Sequence, residues 1–198
     1  MAETKLGCIV MAAGASVRFG SENKLLADFG GKPVLTRTLS MLPRDEFSRI
    51  VCVVSCEETQ ALCEENAFPF VRTEGGAVSV SIRAGVRCME GMDGCMFVNG
   101  DMPLLREESI RAMAARFHLA PEKGLRLSVN GEAVSPVLFP KSFFPDLLAL
   151  SGEKGGISIL KKRGIVFDTV EASDPAEVLD IDTQEQLRDL QTRNTQQR

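Results

Sequence analysis

Three short apolar runs, residues 6–11, 50–54 and 95–98, constrain the fold of this chain most. Each is long enough for one buried strand and too short for an ordinary helix. Helical spacing lies between them. Pro33 suits a first helical position and is followed by Val34, Leu35, Leu39 and Leu42. Residues 57–66 and 79–89 read as two further helices, with a short strand at 68–71. Buried strands separated by helices pair in parallel through right-handed crossovers.

The second half breaks the alternation. Residues 109–117 read as a helix, and 125–129 and 133–139 as strands joined by Asn130-Gly131. Asn-Gly is a strong hairpin signal, because both residues tolerate positive φ. Short helices are expected at 143–150 and 157–162, a strand at 165–170 and a closing helix at 183–190. The expected fold class is α/β: a three-layer, Rossmann-like arrangement with a mostly parallel mixed sheet flanked by helices. The late hairpin is expected to form a mixed edge, suited to a second, substrate-side lobe. Residues 1–190 read as a single domain and 191–198 as a frayed polar tail.

Composition removes several function classes. A chain of 198 residues with 44% hydrophobic and 25% charged residues can bury a core without staples. Lys and Arg number 23 against 27 Asp and Glu, a net charge of −4, which disfavours nucleic acid as a partner. No apolar run is long enough to cross a membrane, and the first residues lack the pattern of a secretory signal. One His and no Cys-x-x-Cys pair argue against zinc. A Ser-His-Asp triad would have to use His118. The six scattered cysteines read as reduced thiols, which points to a cytoplasmic protein.

Ligands of such sheets bind beyond the carboxyl ends of the strands. Two loops there are chemically loaded. The first runs Met11-Ala12-Ala13-Gly14-Ala15-Ser16-Val17-Arg18-Phe19-Gly20-Ser21-Glu22-Asn23-Lys24-Leu25-Leu26. Small residues let backbone amides approach an anion, and Arg18 and Lys24 add positive charge. A triphosphate needs that combination. The loop is neither a P-loop nor a Gly-x-Gly-x-x-Gly fingerprint. The second loop, Asn99-Gly100-Asp101-Met102-Pro103, puts a carboxylate just past a buried strand. Mg²⁺ needs few protein oxygens when phosphates supply the rest. A third segment, Leu179-Asp180-Ile181-Asp182-Thr183, offers a second ligand. Alternation puts Asp180 and Asp182 on one side of an extended strand, and spacing does not choose between them.

The first loop resembles the nucleotidyltransferase signature Leu-x-x-Gly-x-x-x-Arg-(Met/Phe)-Gly followed by Lys-Leu-Leu. Further matching pieces are Gly31-Lys32-Pro33, Gly100-Asp101-Met102-Pro103, Ser135-Pro136-Val137-Leu138-Phe139 and Asp180-Ile181-Asp182-Thr183. Their order resembles the molybdenum cofactor cytidylyltransferases, within the broader molybdopterin-guanylyltransferase-like superfamily. That resemblance implies the nucleotidyltransferase form of the fold. It implies Mg²⁺-dependent transfer of CMP from CTP to the phosphate of molybdopterin or molybdenum cofactor, with loss of pyrophosphate. Arg18 and Lys24 would grip the triphosphate and act with Asp101 in catalysis. Asp101 and Asp182 would hold Mg²⁺. Ala12, Ala13 and Gly14 would meet base and ribose, and Ser81 would touch the nucleotide from a helix start. A molybdenum hydroxylase apoenzyme is the implied recipient.

The chain departs from its relatives on the acceptor side. Val134-Ser135 stands where they carry Gly-His, and Gly152-Glu153-Lys154-Gly155-Gly156-Ile157 replaces Gly-Asp-x-Gly-Ala-Arg. The same chemistry with GTP, or on a sugar or polyol phosphate, is the alternative. A non-catalytic accessory protein of molybdenum hydroxylases is the other.

Overall fold

In the computed structural model of the chain, residues 4–20 and 22–196 are described. The sheet strands are β1 (Leu6–Ala12), β2 (Arg49–Val54), β3 (Phe70–Arg72), β4 (Gly94–Asn99), β5 (Leu125–Val129), β6 (Glu132–Pro140) and β7 (Asp168–Glu171). The helices are α1 (Val34–Ser40), α2 (Glu57–Glu65), α3 (Val78–Arg87), α4 (Glu107–Leu119), α5 (Phe144–Leu148), α6 (Ile157–Arg163) and α7 (Gln184–Gln196). All seven strands share one sheet, in the order β3-β2-β1-β4-β6-β5-β7.

The first four strands are mutually parallel, as the spacing of runs and helices requires. β6 then pairs antiparallel with β4 and with β5, and β7 returns parallel to β5. The sequence expectation of a hairpin at the sheet edge is therefore corrected. The hairpin is interior, because β6 offers a continuous apolar stretch, Pro136 to Pro140, that needs cover on both sides. The half-exposed β7 takes the edge instead.

Side chains alternate across the sheet and build two cores. Leu6, Cys8, Val10, Met96 and Val98 point to one face, packed by α1, α2, α4 and, through Leu187 and Leu190, α7. Ile9, Cys95 and Phe97 point to the other, packed by α3, α5 and α6. These are the three expected layers. Each buried Leu, Ile or Phe contributes about 1.5–3 kcal/mol. The fit is tight enough that a Cβ on Gly85 of α3 would lie 2.5 Å from Ile9 Cγ2.

Two elements differ in extent from expectation. The last strand begins at Asp168, because Val166 is 92% exposed and only Phe167 turns into the core. The closing helix continues to Gln196, so it includes residues 191–196 of the expected tail, whose residues 197–198 lie outside the described residues. Gln191 Nε2 donates to the Asp28 carbonyl at 2.8 Å. Among the described residues no helix is long and apolar enough to cross a membrane, and all six cysteines are free thiols. His118 is exposed in the last turn of α4, where a basic residue complements the helix dipole.

Candidate active site

The loop after β1 is pinned at two points by buried apolar side chains, Phe19 and Leu25. Ahead of both, Ser16 adopts φ 52° and its carbonyl accepts from Phe19 N at 2.9 Å, closing a turn. Ser16 Oγ donates to Asn23 Oδ1 at 3.3 Å and accepts from the Lys24 amide at 3.3 Å. Asn23 Oδ1 also accepts from Leu25 N at 3.1 Å, capping the 3₁₀ turn Lys24–Leu26. The backbone of Lys24 is thereby fixed. Ser16 and Asn23 were absent from the sequence-derived site. Their available signal was an Asn standing one residue ahead of a Lys-Leu-Leu turn.

Gly100 turns the chain at the end of β4. Its amide donates to the Met11 carbonyl at 2.9 Å, and its own carbonyl accepts from Thr38 Oγ1 at 3.0 Å. A Cβ there would sit 3.1 Å from both Leu35 Cδ1 and Met11 O. This close approach delivers Asp101 to the carboxyl end of β1. Asp101 is 8% exposed.

The third segment is held from two sides. Ile181 is fully buried and its amide donates to the Asp101 carbonyl at 3.1 Å. Upstream, the buried Glu177 carboxylate accepts from Ser109 Oγ at 2.7 Å and from the Arg106 amide at 3.1 Å. It also accepts from Ser173 Oγ and the Asp174 amide, both at 3.2 Å. Glu177 thus moors this segment to the start of α4, a role sequence reading missed. Downstream, Thr183 and Gln186 form reciprocal capping bonds at the start of α7.

With Ile181 buried between them, Asp180 and Asp182 both face outward on one side. One carboxylate oxygen each from Asp101, Asp180 and Asp182 lie within 4.8 Å of one another. Lys24 Nζ reaches into this cluster, 2.5 Å from Asp101 Oδ2 and 2.9 Å from Asp182 Oδ1. Arg18 Nη2 lies 2.9 Å from Asp182 Oδ2, with its side chain 74% exposed. Five residues singled out in the sequence therefore converge: Arg18, Lys24, Asp101 and both candidate second ligands, Asp180 and Asp182. Asp101 Oδ1 is buried with no hydrogen-bond partner.

Desolvation pulls the Lys24 ammonium down, but Asp101 and Asp182 outweigh it, and its pKa stands above the ordinary lysine value. Burial pushes Asp101 up. Lys24 opposes the rise and Asp180 adds to it, leaving its carboxyl above the ordinary aspartate range. An orphaned buried oxygen beside two more carboxylates fits a hard divalent cation, which takes oxygen ligands.

Ala12 and Ala13 are buried, whereas Gly14 and Ala15 are exposed. Ala13 offers its carbonyl to Ser55 Oγ at 3.3 Å. Ser81 does not join the cluster. It lies one turn inside α3, 5% exposed, and Ala77 holds the cap position.

Two clefts border residues at or just past the carboxyl ends of the parallel strands. The larger, about 670 Å³, borders the first loop at Gly14, Ala15 and Asn23 and extends to Ser55, Cys56 and Glu58. The smaller, about 190 Å³, lies on the opposite side of the sheet. It is lined mostly by apolar groups, among them Ile82, Phe97, Val137 and Phe139, with Asn99 and Ser135 at its polar end. Arg126 pairs with Val137 across the β5–β6 ladder, and so shares its face. Its Nε is buried without a partner, and desolvation lowers its pKa. No hydrogen bond or ion pair holds this guanidinium among the described residues. Sequence reading passed over it as a strand residue.

Residues 8–167 match the family described as MobA-like NTP transferase domain. The chain is 33% identical to the bifunctional protein GlmU of Hydrogenobaculum sp. over 81% of its own length, but spans only 36% of that protein. It is 29% identical to the purine catabolism protein PucB of Bacillus subtilis, covering 90% of this chain and 92% of that one. A probable molybdenum cofactor guanylyltransferase of Pyrococcus horikoshii is 28% identical over 58% of this chain and 57% of its own. A solved nucleotidyl transferase from Methanothermobacter thermautotroptrophicus superposes with a TM-score of 0.83 at 19% identity, covering 98% of this chain and 99% of that one.

Proposed function

The chain belongs to the MobA-like NTP transferase family, and from that premise we propose that it transfers CMP from CTP to the phosphate of molybdopterin or molybdenum cofactor, releasing pyrophosphate. The observation that carries the reading is the meeting of Arg18, Lys24 and three carboxylates at the carboxyl ends of β1 and β4. Cations for a triphosphate and oxygens for its counter-ion stand side by side there.

An oxygen of the acceptor phosphate attacks the α-phosphorus, and the bond from that phosphorus to the oxygen bridging to the β-phosphate breaks. Pyrophosphate carries the electron pair away. The attacking phosphate is already ionised, so no strong general base is required. Catalysis is then positioning plus charge neutralisation. Arg18 and Lys24 turn to the triphosphate and offset charge on the leaving group. Asp101 and Asp182 would hold Mg²⁺, with Asp180 beside them, and the chemistry such an ion would supply is further neutralisation of phosphate charge. The base and ribose lie along Gly14 in the larger cleft, where Ser55 and Asn23 offer hydrogen bonds and Glu58 disfavours phosphate. Ala12 and Ala13 support that loop from the core, and Ser81 acts through the packing of α3.

The smaller cleft supports a flat heteroaromatic acceptor over a sugar or polyol, which would leave many hydroxyls unpaired against Phe97, Phe139 and Ile82. Arg126 on the adjoining strand supplies charge for an anionic acceptor group. In this reading the recipient of the product is a molybdenum hydroxylase apoenzyme. The intact cation–carboxylate cluster favours a catalyst over an accessory protein.

Pyrophosphate release with Mg²⁺ and each of CTP, GTP, UTP and ATP, with molybdopterin and, in parallel, sugar phosphates as acceptor, tests the proposal. CTP is expected to support turnover. Turnover only with GTP would reassign the base. Turnover only with sugar phosphates would overturn the acceptor.

A further inference from the structure

Lys24 occupies the position from which a metal ion would reach both acids. Its ammonium touches Asp101 Oδ2 at 2.5 Å and Asp182 Oδ1 at 2.9 Å. Asp182 Oδ2 is taken by Arg18 at 2.9 Å, and Asp101 Oδ1 is buried without a partner. Every oxygen of this acid pair that is not buried already has a cation on it. The Lys24 side chain is only 13% exposed, so its charge is matched by the acids rather than by water.

We infer that Lys24 and a divalent cation compete for the same carboxylate oxygens, so that metal is loaded efficiently only together with a nucleoside triphosphate. The triphosphate gives the displaced ammonium a new anionic partner. The lysine stem is flexible enough to make that swing, and the exposed Arg18 is available to the same phosphates. Metal and nucleotide then assist each other's binding through one side chain, and the coupling is reciprocal. The inference rests on the nucleotide reading above only for the new partner of Lys24. The competition itself is a property of the protein.

The test uses Mn²⁺ alone and nucleotide-free protein, so it needs neither acceptor nor turnover. Calorimetric titration compares the wild type with Lys24→Met and with the milder Lys24→Gln. Removal of the ammonium is expected to tighten Mn²⁺ binding by about tenfold or more. Equal affinity in wild type and variants, or no binding by the variants, overturns the inference. The wild type supplies a second readout should either variant fold poorly. Saturating Mn²⁺ is expected to expose Lys24 to amine acylation followed by mass spectrometry. Mn²⁺ that saturates the acids while Lys24 stays protected overturns it equally. Pyrophosphate release by the wild type is scored separately, so failure here and failure of the transferase reading are told apart.

Discussion

Lys24 Nζ of the first loop and Asp101 Oδ2 at the end of β4 lie 2.5 Å apart, each side chain almost wholly withdrawn from water. Neither is paired by a neighbour in sequence. The sheet order, which sets β1 beside β4, brings them together.

Asp101→Ala should abolish turnover and keep the fold. Burial already raises the pKa of this carboxyl, and Lys24 stays paired with Asp182 when Asp101 is removed. Pyrophosphate release and the melting temperature check the two halves. Normal Mg²⁺-dependent rates in this variant would remove Asp101 from the reaction.

Lys24→Ala should lower kcat on the order of 10²-fold, the usual loss for one electrostatic donor. It should also lower stability, because Asp101 then keeps its desolvation without its cation. Steady-state kinetics at saturating Mg²⁺ and CTP measure the first effect. Unchanged kinetics would mean that the ammonium does not meet the phosphates.

Gly100→Ala should destabilise the protein by about 1–3 kcal/mol, the range for overpacking a filled site. The new methyl would press on Leu35 and on the Met11 carbonyl at 3.1 Å. Any relief moves Asp101, so turnover should fall with stability. Denaturant unfolding and kinetics on the same sample check both, and a wild-type-like enzyme would show that the turn has slack.

Arg126→Gln should raise KM for the anionic acceptor while leaving KM for CTP unchanged, since Arg126 shares a face with the smaller cleft and not with the first loop. Equal effects on both substrates would point to a structural role.

Glu171 gives a pH test remote from the chemistry. Its carboxylate accepts from Ser128 Oγ and from the Asn130 amide, both at 2.6 Å, holding the base of the hairpin turn. These bonds pull its pKa below the ordinary glutamate value. A depressed folded-state pKa contributes stability above the unfolded value, and that contribution disappears as pH falls through the folded one. Melting curves of wild type and Glu171→Gln should therefore differ at neutral pH and converge in acid. A gap that persists in acid would count against the carboxylate.

Much of the layer structure could be read from patterning. Residues 6–11, 50–54 and 95–98 are strands because an uninterrupted apolar run has only one cheap place to go, the centre of a covered sheet. The hairpin at Asn130-Gly131 was equally legible, since positive φ at both positions is a local requirement. Its place in the sheet was not legible, because nothing local tells β6 to choose β4. Val166 misled the strand boundary for the same reason, apolarity alone being blind to where the core ends.

By itself, the sequence determined the chemistry on offer: a small-residue loop with two cations, an acid past one strand and two acids before the last helix. Only the tertiary structure decided which of these meet. Lys24 and Asp182 stand 158 positions apart, and their contact depends on the order in which parallel strands stack and on Ile181 and Glu177 mooring the last segment. The acceptor-side cleft and the lone guanidinium of Arg126 are likewise products of packing. Local propensity acts over a few residues, whereas a binding site is assembled from strand ends that the chain reaches only after crossing the sheet.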